Sequence, residues 1–406
     1  MTRIFALVSH FIFRVMIRWL ISKKYATLTT VCWLVHRSGS LQSLSRSVMS
    51  PSWPYNGKLR NDSKIKKISS RYSPTQVLQW LTCVGFPGTY SEIDISSGGF
   101  PITLENLHIL TRLSTIAFPI ENTALHYGTD HIMDISADSI FQRLVVERKG
   151  SYCFGLNGLF LDMLRGLGYR AYSGSGKVND PLAPHETPEY LSFVHMVLFV
   201  QPIDDSSETY LVDVGCGGNG PSRPILLSCD PHNVVMGVSP TEKHRLTRGS
   251  RPQSSLDSGP EGTEWRLEVL QEKGPDSKWK IVYSFLEDEF FETDYTAMNF
   301  GVSMSPGGFF VDNIVYGRNF WLTVDEAREL GANDSDMDSF LTRYMGRIGM
   351  RGDVITRHIG SGSEVIRTAT TELEQRDILR ELCGIDIPTE DLENVTGRSA
   401  AVPLGY

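Results

Sequence analysis

Three features of the 406-residue sequence predict an α+β fold. Residues from about 70 to 168 carry apolar side chains at helical spacing. The stretch after Gly168 turns to β-branched and aromatic segments bounded by polar turns. From about residue 300 the two patterns mix.

The first helix opens at Ser73-Pro74-Thr75-Gln76, a capping box with proline at the first helical position. It runs through Trp80 and Leu81, and the stretch Gly85 to Gly88 closes it. Leu104, Leu107, Leu110 and Leu113 mark a second helix. A third follows "RKGSYCFGLNGLF", where Leu156, Leu159, Phe160, Met163, Leu164 and Leu167 form one apolar stripe. Cys153 stands at its first turn. A thiol there is either a small core residue or an activated nucleophile, because a helix N-terminus favours an anion.

The β-rich part contains "SFVHMVLFV", "TYLVDVG", "EWRLEVLQ" and "WKIVYSFL". Residues 247–262 form a Gly/Ser/Pro-rich surface loop. The last clear helix is "TELEQRDILRELCG", ended by Gly384. No internal repeat is evident.

Charge and composition exclude several classes. The chain is 41% apolar and 21% charged, an ordinary globular balance. Nine of its 39 Lys and Arg, and none of its 47 Asp and Glu, lie in the first 60 residues, so the rest carries −17. An acidic body without a basic stripe argues against nucleic-acid binding. The six cysteines form no C-x-x-C pair, which argues against a zinc site or disulfide framework and for a reducing compartment.

Residues 1–69 are set aside as a leader. "IFALVSHFIFRVMIRWLIS" is apolar, but His10, Arg14 and Arg18 make a polar stripe that a membrane span tolerates poorly. Three readings stay open: a mitochondrial presequence, a signal anchor, or a true start at Met49. The expected location is cytoplasmic, or mitochondrial if the leader is translated. No stable membrane insertion is expected.

Two polar residues stand out in the strands. His195 shares a strand face with Phe193, Val197 and Phe199, the usual setting of a satisfied core histidine. Asp213 lies inside "YLVDVG", where an unpaired carboxylate is costly. If the linker "QPIDDSSE" makes a hairpin pairing Val200 with Glu208 or Thr209, His195 falls opposite Asp213 or one position off. Direct opposition lets each explain the other. With Cys153 they make a nucleophile, a base and an orienter.

Four motifs in order then resemble the arylamine N-acetyltransferase family, its filamentous-fungal members most closely. "FPIENTALHY" is similar to the family's Pro-Phe-Glu-Asn segment, and "KGSYCF" to its Arg-Gly-Gly-aromatic-Cys motif. "VHMVL" resembles its histidine strand, and "YLVDVGCGGNGPSRPILL" its Val-Asp-x-Gly-Phe-Gly loop. The resemblance covers roughly residues 70 to 400. It implies a helical domain (70–168), a β-barrel domain (169–300) and an α/β lid (301–406), with a cysteine-protease-like triad of Cys153, His195 and Asp213. It implies acetyl-CoA as acyl donor, an arylamine or arylhydrazine as acceptor, no metal, and ping-pong kinetics through a thioester. The candidate CoA contacts are Gly217 and Gly218, in the run Gly215 to Pro221 whose glycine amides could approach an anion closely beside the triad, together with Ser192; the candidate acceptor contacts are Phe154 and Cys216.

Departures from the family pattern are equally specific. Arg-Gly-Gly is Lys149-Gly150-Ser151 here, so an ion pair to Glu121 would use Lys149 or Arg148 and brace the helix against the barrel. Cys216 stands where the family has an aromatic ring, either facing the cleft or pointing into the barrel core. "SGSGKV", Ser173 to Val178, reads as a nucleotide loop or a barrel turn. A thiol hydrolase, a transglutaminase-like enzyme with the same triad, and a CoA-ester-binding protein without activity remain as alternatives.

Overall fold

The computed structural model describes residues 57–257 and 264–402. Most of the leader, with His10, Arg14, Arg18 and Met49, lies outside them. No helix among the described residues is long and apolar enough to cross a membrane.

The helical part forms as its caps dictate. Helix α1 spans Pro74–Val84; the Ser73 hydroxyl accepts from the Gln76 N–H and the Gln76 side chain from the Ser73 N–H. Gly85 ends it at φ +70°, a left-handed conformation that suits glycine. Helix α2 spans Leu104–Ala117 and α3 spans Cys153–Leu167. Their apolar faces, with Trp80, Leu110, Leu159 and Phe160, meet in one core. Two further helices are α4, Glu292–Met304, which brings Tyr295 against Phe154, and α5, Glu372–Ile378, which packs in a separate cluster with the lid sheet.

The barrel is an eight-stranded antiparallel sheet in the order β5-β4-β3-β2-β9-β8-β7-β6. Its strands are β2 (Arg170–Val178), β3 (His195–Gln201), β4 (Tyr210–Val212) and β5 (Ile225–Leu226), followed by β6 (Val234–Met236), β7 (Glu242–Gly249), β8 (Glu264–Gln271) and β9 (Lys280–Phe285). Edge strand β5 comes against β7, so the sheet nearly closes. Strand β3 is buried on both faces. Val197 and Phe199 point into the barrel interior, while Met196, Leu198 and Val200 join the core shared with α3.

"SGSGKV" is neither a nucleotide loop nor a turn; it is most of β2, paired with β3 and β9. Its glycines leave space for rings: a β-carbon on Gly174 would lie 2.6 Å from the Phe199 ring.

The lid sheet is β1-β10-β11-β12-β13, with β10 at Val315–Trp321, β11 at Met345–Arg351, β12 at Val354–Ile359 and β13 at Gly362–Thr368. Its first strand, β1 (Ile120–Glu121), comes from the helical region and pairs with Gly317 and Tyr316. Residues 57–69, assigned to the leader in the sequence reading, pack on the barrel instead. Leu59 and Ile65 enter its apolar interior, and the Ile65 N–H donates to Gln201 Oε1 at 2.9 Å.

Candidate active site

Cys153 is the first residue of α3, 6% exposed, with its Sγ 3.6 Å from the Val194 carbonyl oxygen. The preceding loop is set by contact. A β-carbon on Gly150 would lie 2.2 Å from the Pro119 carbonyl oxygen, so only glycine fits there. Glu121, wholly buried, accepts from the Gly150 N–H at 3.1 Å and from the N–H and hydroxyl of Thr123, both at 2.6 Å. Its ion-pair partner is Arg143, not Lys149 or Arg148. Lys149 pairs with Glu147, and Arg148 donates to the Cys83 carbonyl. Glu121 therefore braces the loop before Cys153 to the lid sheet rather than to the barrel.

His195 begins β3 and Asp213 follows the end of β4. The register pairs Leu198 with Val212 and Val200 with Tyr210, two positions from direct opposition of His195 and Asp213. A shift of two keeps the face, so the side chains still meet diagonally. His195 Nε2 lies 2.6 Å from Asp213 Oδ2. That leaves Nδ1 for the thiol, and Cys153 is among the groups that raise the imidazole's basicity.

The carboxylate is saturated. Tyr283 donates to Oδ2 at 3.0 Å; Asn157 and the Gly215 N–H donate to Oδ1, both at 2.9 Å. Burial alone would push Asp213 up, but the His195 charge and these hydrogen bonds hold it below the usual carboxylate range. Burial alone would push His195 down; Asp213 and the Cys153 thiol outweigh it and raise its basicity.

Asn157 and Tyr283 were missed in the sequence reading. Asn157 lies one turn beyond Cys153. Its amide also donates to the Met196 carbonyl at 2.8 Å, and its oxygen accepts from the Val214 N–H at 2.9 Å. One side chain thus ties α3, β3 and the aspartate loop. An asparagine within an apolar helical stripe was the available signal. Tyr283 comes from β9 and packs its ring 4.9 Å from the imidazole; nothing in the sequence marks it. Gly215 has a spatial reason as well, since a β-carbon there would lie 2.7 Å from the Cys153 Cα.

Of the remaining expected contacts, Cys216 stays beside the triad and the others spread out. Cys216 packs against the barrel-interior cluster. One ligand atom each from Cys216, His195 and Asp213 lie within 4.8 Å, the one such group among the described residues, though the Asp213 oxygens are already hydrogen-bonded as above. Gly217 adopts φ +83° against Ile120, while Gly218 and Ser192 are exposed. Phe154 is buried, edge-on to Tyr152, and helps line a cavity of about 190 Å³ with Tyr295, Phe290 and Met196.

Comparison with known proteins agrees with this geometry. Residues 103–321 match the family model described as N-acetyltransferase. The chain is 26% identical over 336 residues to the N-malonyltransferase FDB2 of Fusarium pseudograminearum, covering 79% of this chain and 91% of that one. It is 29% identical over 230 residues to the arylamine N-acetyltransferase of Mycolicibacterium smegmatis, covering 55% of this chain and 72% of that one. The solved structure of Mycobacterium marinum arylamine N-acetyltransferase in complex with CoA shares the fold, with a TM-score of 0.56, 24% identity, and coverage of 80% of this chain and 96% of that one. The chain belongs to the arylamine N-acetyltransferase family of acyltransferases.

Proposed function

We propose that the protein moves a small acyl group from acyl-CoA to an arylamine, arylhydrazine or similar amine through a thioester on Cys153. The observation that carries this reading is the buried group of Cys153, His195 and Asp213, in which the imidazole is hydrogen-bonded to the carboxylate and made more basic by it and by the thiol. The basic imidazole takes the thiol proton as sulfur attacks the acyl-CoA carbonyl. The tetrahedral adduct collapses, the CoA sulfur leaves, and that sulfur recovers the proton from His195. Exchange of one thioester for another is nearly level in energy. The acceptor amine then attacks the Cys153 thioester, its proton passes to His195, and the free thiol is restored. Asp213 keeps the ring oriented throughout without itself taking the proton.

The acyl group is acetyl or a related small acyl. A relative bearing the name N-malonyltransferase makes malonyl the alternative. A thiol hydrolase would use the same three residues with water as acceptor.

Intact-mass measurement after mixing with acetyl-CoA or malonyl-CoA, without amine, tests the reading. One acyl group should appear on the protein, be absent from Cys153→Ser, and leave on addition of an aniline. Release at the same rate without amine would indicate a hydrolase. Iodoacetamide gives an independent test. Burial pushes the Cys83 thiol to about 11, the Cys383 thiol to about 12 and Cys216 well above its ordinary value. At neutral pH alkylation should fall first on Cys153, and acyl-CoA should protect it.

A further inference from the structure

Arg112 sits in the middle of α2 with no exposed surface. Its Nη2 donates to the Arg343 carbonyl, but its Nε and Nη1 have no hydrogen-bond partner. Its guanidinium and that of Arg343 lie over the same ring, Trp321, at 5.5 and 5.3 Å from the centroid. Arg223, in the loop that leads from Asp213 to β5, is 9% exposed, and its Nε is also unpartnered. The Nε of Arg343 is a third unpartnered donor.

Among the described residues, none of the three is ion-paired to a carboxylate. Burial and the Arg223 charge lower Arg112, and burial lowers Arg223 to about 10; no carboxylate is among the groups acting on either. His108, one turn before Arg112, is pushed down to about 4 by burial and by the same two arginines. Arg170, the other buried arginine among the described residues, also lacks a carboxylate but donates to Gln201 Oε1 and to the Ile203 and Ser206 carbonyls, while the part-buried Arg143 and Arg347 pair with Glu121 and Glu242. An aromatic face offsets part of a guanidinium's charge, but it satisfies none of the N–H groups in the ring's neighbourhood that point elsewhere. A buried cation with open donors costs stability unless an anion completes it.

We propose that His108, Arg112, Arg223 and Arg343 form a phosphate-binding site where the helical domain, the aspartate loop and the lid meet. Guanidinium forks match the oxygens of an oxyanion, and several of them converging suit a dianion better than a single carboxylate. His108 and Arg343 are part-exposed and give the anion its way in. The site takes either a phosphate group carried by the CoA donor or a separate phosphate.

The first test does not depend on acyl transfer. Full-length protein is melted in phosphate and in chloride at equal ionic strength. About 10 mM phosphate should raise Tm by roughly 2 °C or more. Arg223→Gln should lose the shift. Arg112→Met should lose it too, and should melt above the native protein in chloride, because a lone buried charge is gone. If Arg112→Met does not fold, Arg223→Gln decides the matter.

The second test separates the sources. CoA and 3′-dephospho-CoA are titrated calorimetrically. If the phosphate is the donor's 3′-phosphate, the dephospho form binds about tenfold more weakly to the native protein, and Arg223→Gln abolishes the difference. If the phosphate is separate, both forms bind alike and the thermal shift persists in saturating CoA. Equal Tm in phosphate and chloride together with equal binding of the two CoA forms would overturn the proposal. So would an Arg223→Gln protein that keeps both effects.

Discussion

Asn157 donates to Asp213 across 2.9 Å from one helical turn beyond Cys153. The aspartate is therefore positioned by the helix that carries the thiol as well as by its own strand. Asn157→Ala strips the amide from Asp213, the Met196 carbonyl and the Val214 N–H. Each buried group left unpaired costs about 1–3 kcal/mol. The expected outcome is a clearly lowered Tm and a loss in acyl-enzyme formation. A variant with native Tm and native acylation would show that Asp213 is held from the barrel alone.

The pH dependence follows from the opposite shifts of the pair. His195 has a raised basicity in the folded protein. Its stabilisation is fully present below the unfolded value of about 6.5 and is lost as pH rises through the folded value. Asp213 is lowered, so its contribution is present above about 3.9 and is lost as pH falls through its folded value. Denaturant midpoints measured from pH 7 upward should fall more steeply for the native protein than for Asp213→Asn, in which the imidazole has lost its main charge partner. Parallel curves would contradict the coupling.

Cys216 packs on the barrel interior beside Gly220, whose β-carbon position lies 2.5 Å from the Cys216 Cβ. There is little space for a ring. Cys216→Phe should destabilise by about 1–3 kcal/mol, while the ratio of kcat/KM for a small and a bulky arylamine stays unchanged. A changed ratio at constant Tm would instead assign this position to the acceptor pocket.

A chain beginning at Met49 should keep its stability and acyl-enzyme formation, whereas one beginning at Ser70 should not. The second removes Leu59 and Ile65 from the barrel interior, at about 1.5–3 kcal/mol for each buried side chain. Thermal melting of the two chains beside the full-length protein checks this. Equal melting would show that residues 57–69 only rest on the surface.

What could be read from sequence was local. Ser73 with Gln76 gave the first helix because both capping bonds lie within four residues. The strand carrying His195 and that leading to Asp213 were legible, but Val200 pairs with Tyr210 rather than with Glu208 or Thr209, a register two or one positions further along, since the length and shape of the linking loop decide it. Strand β2 was hidden because Gly174 serves the Phe199 ring, a partner some 25 residues distant. Arg143 was missed as the partner of Glu121 because it projects from a π-helical turn, Gln142–Val146, outside the motif that drew attention. Arg112, Arg223 and Arg343 carry no common sequence signal at all; only folding brings them together.

During synthesis, Glu121 and Ile120 leave the ribosome long before Tyr316 and Gly317, their partners in the lid sheet. Until β10 has followed, the carboxylate that holds the Gly150 N–H belongs to a strand with no neighbour on that edge. A nascent chain therefore carries the cysteine, from position 153 until Gly317 has followed, before the loop in front of it is fully fixed. If Cys153 takes an acyl group as proposed, that competence should arrive only after β10 has been made, so a chain halted before Trp321 should not be acylated.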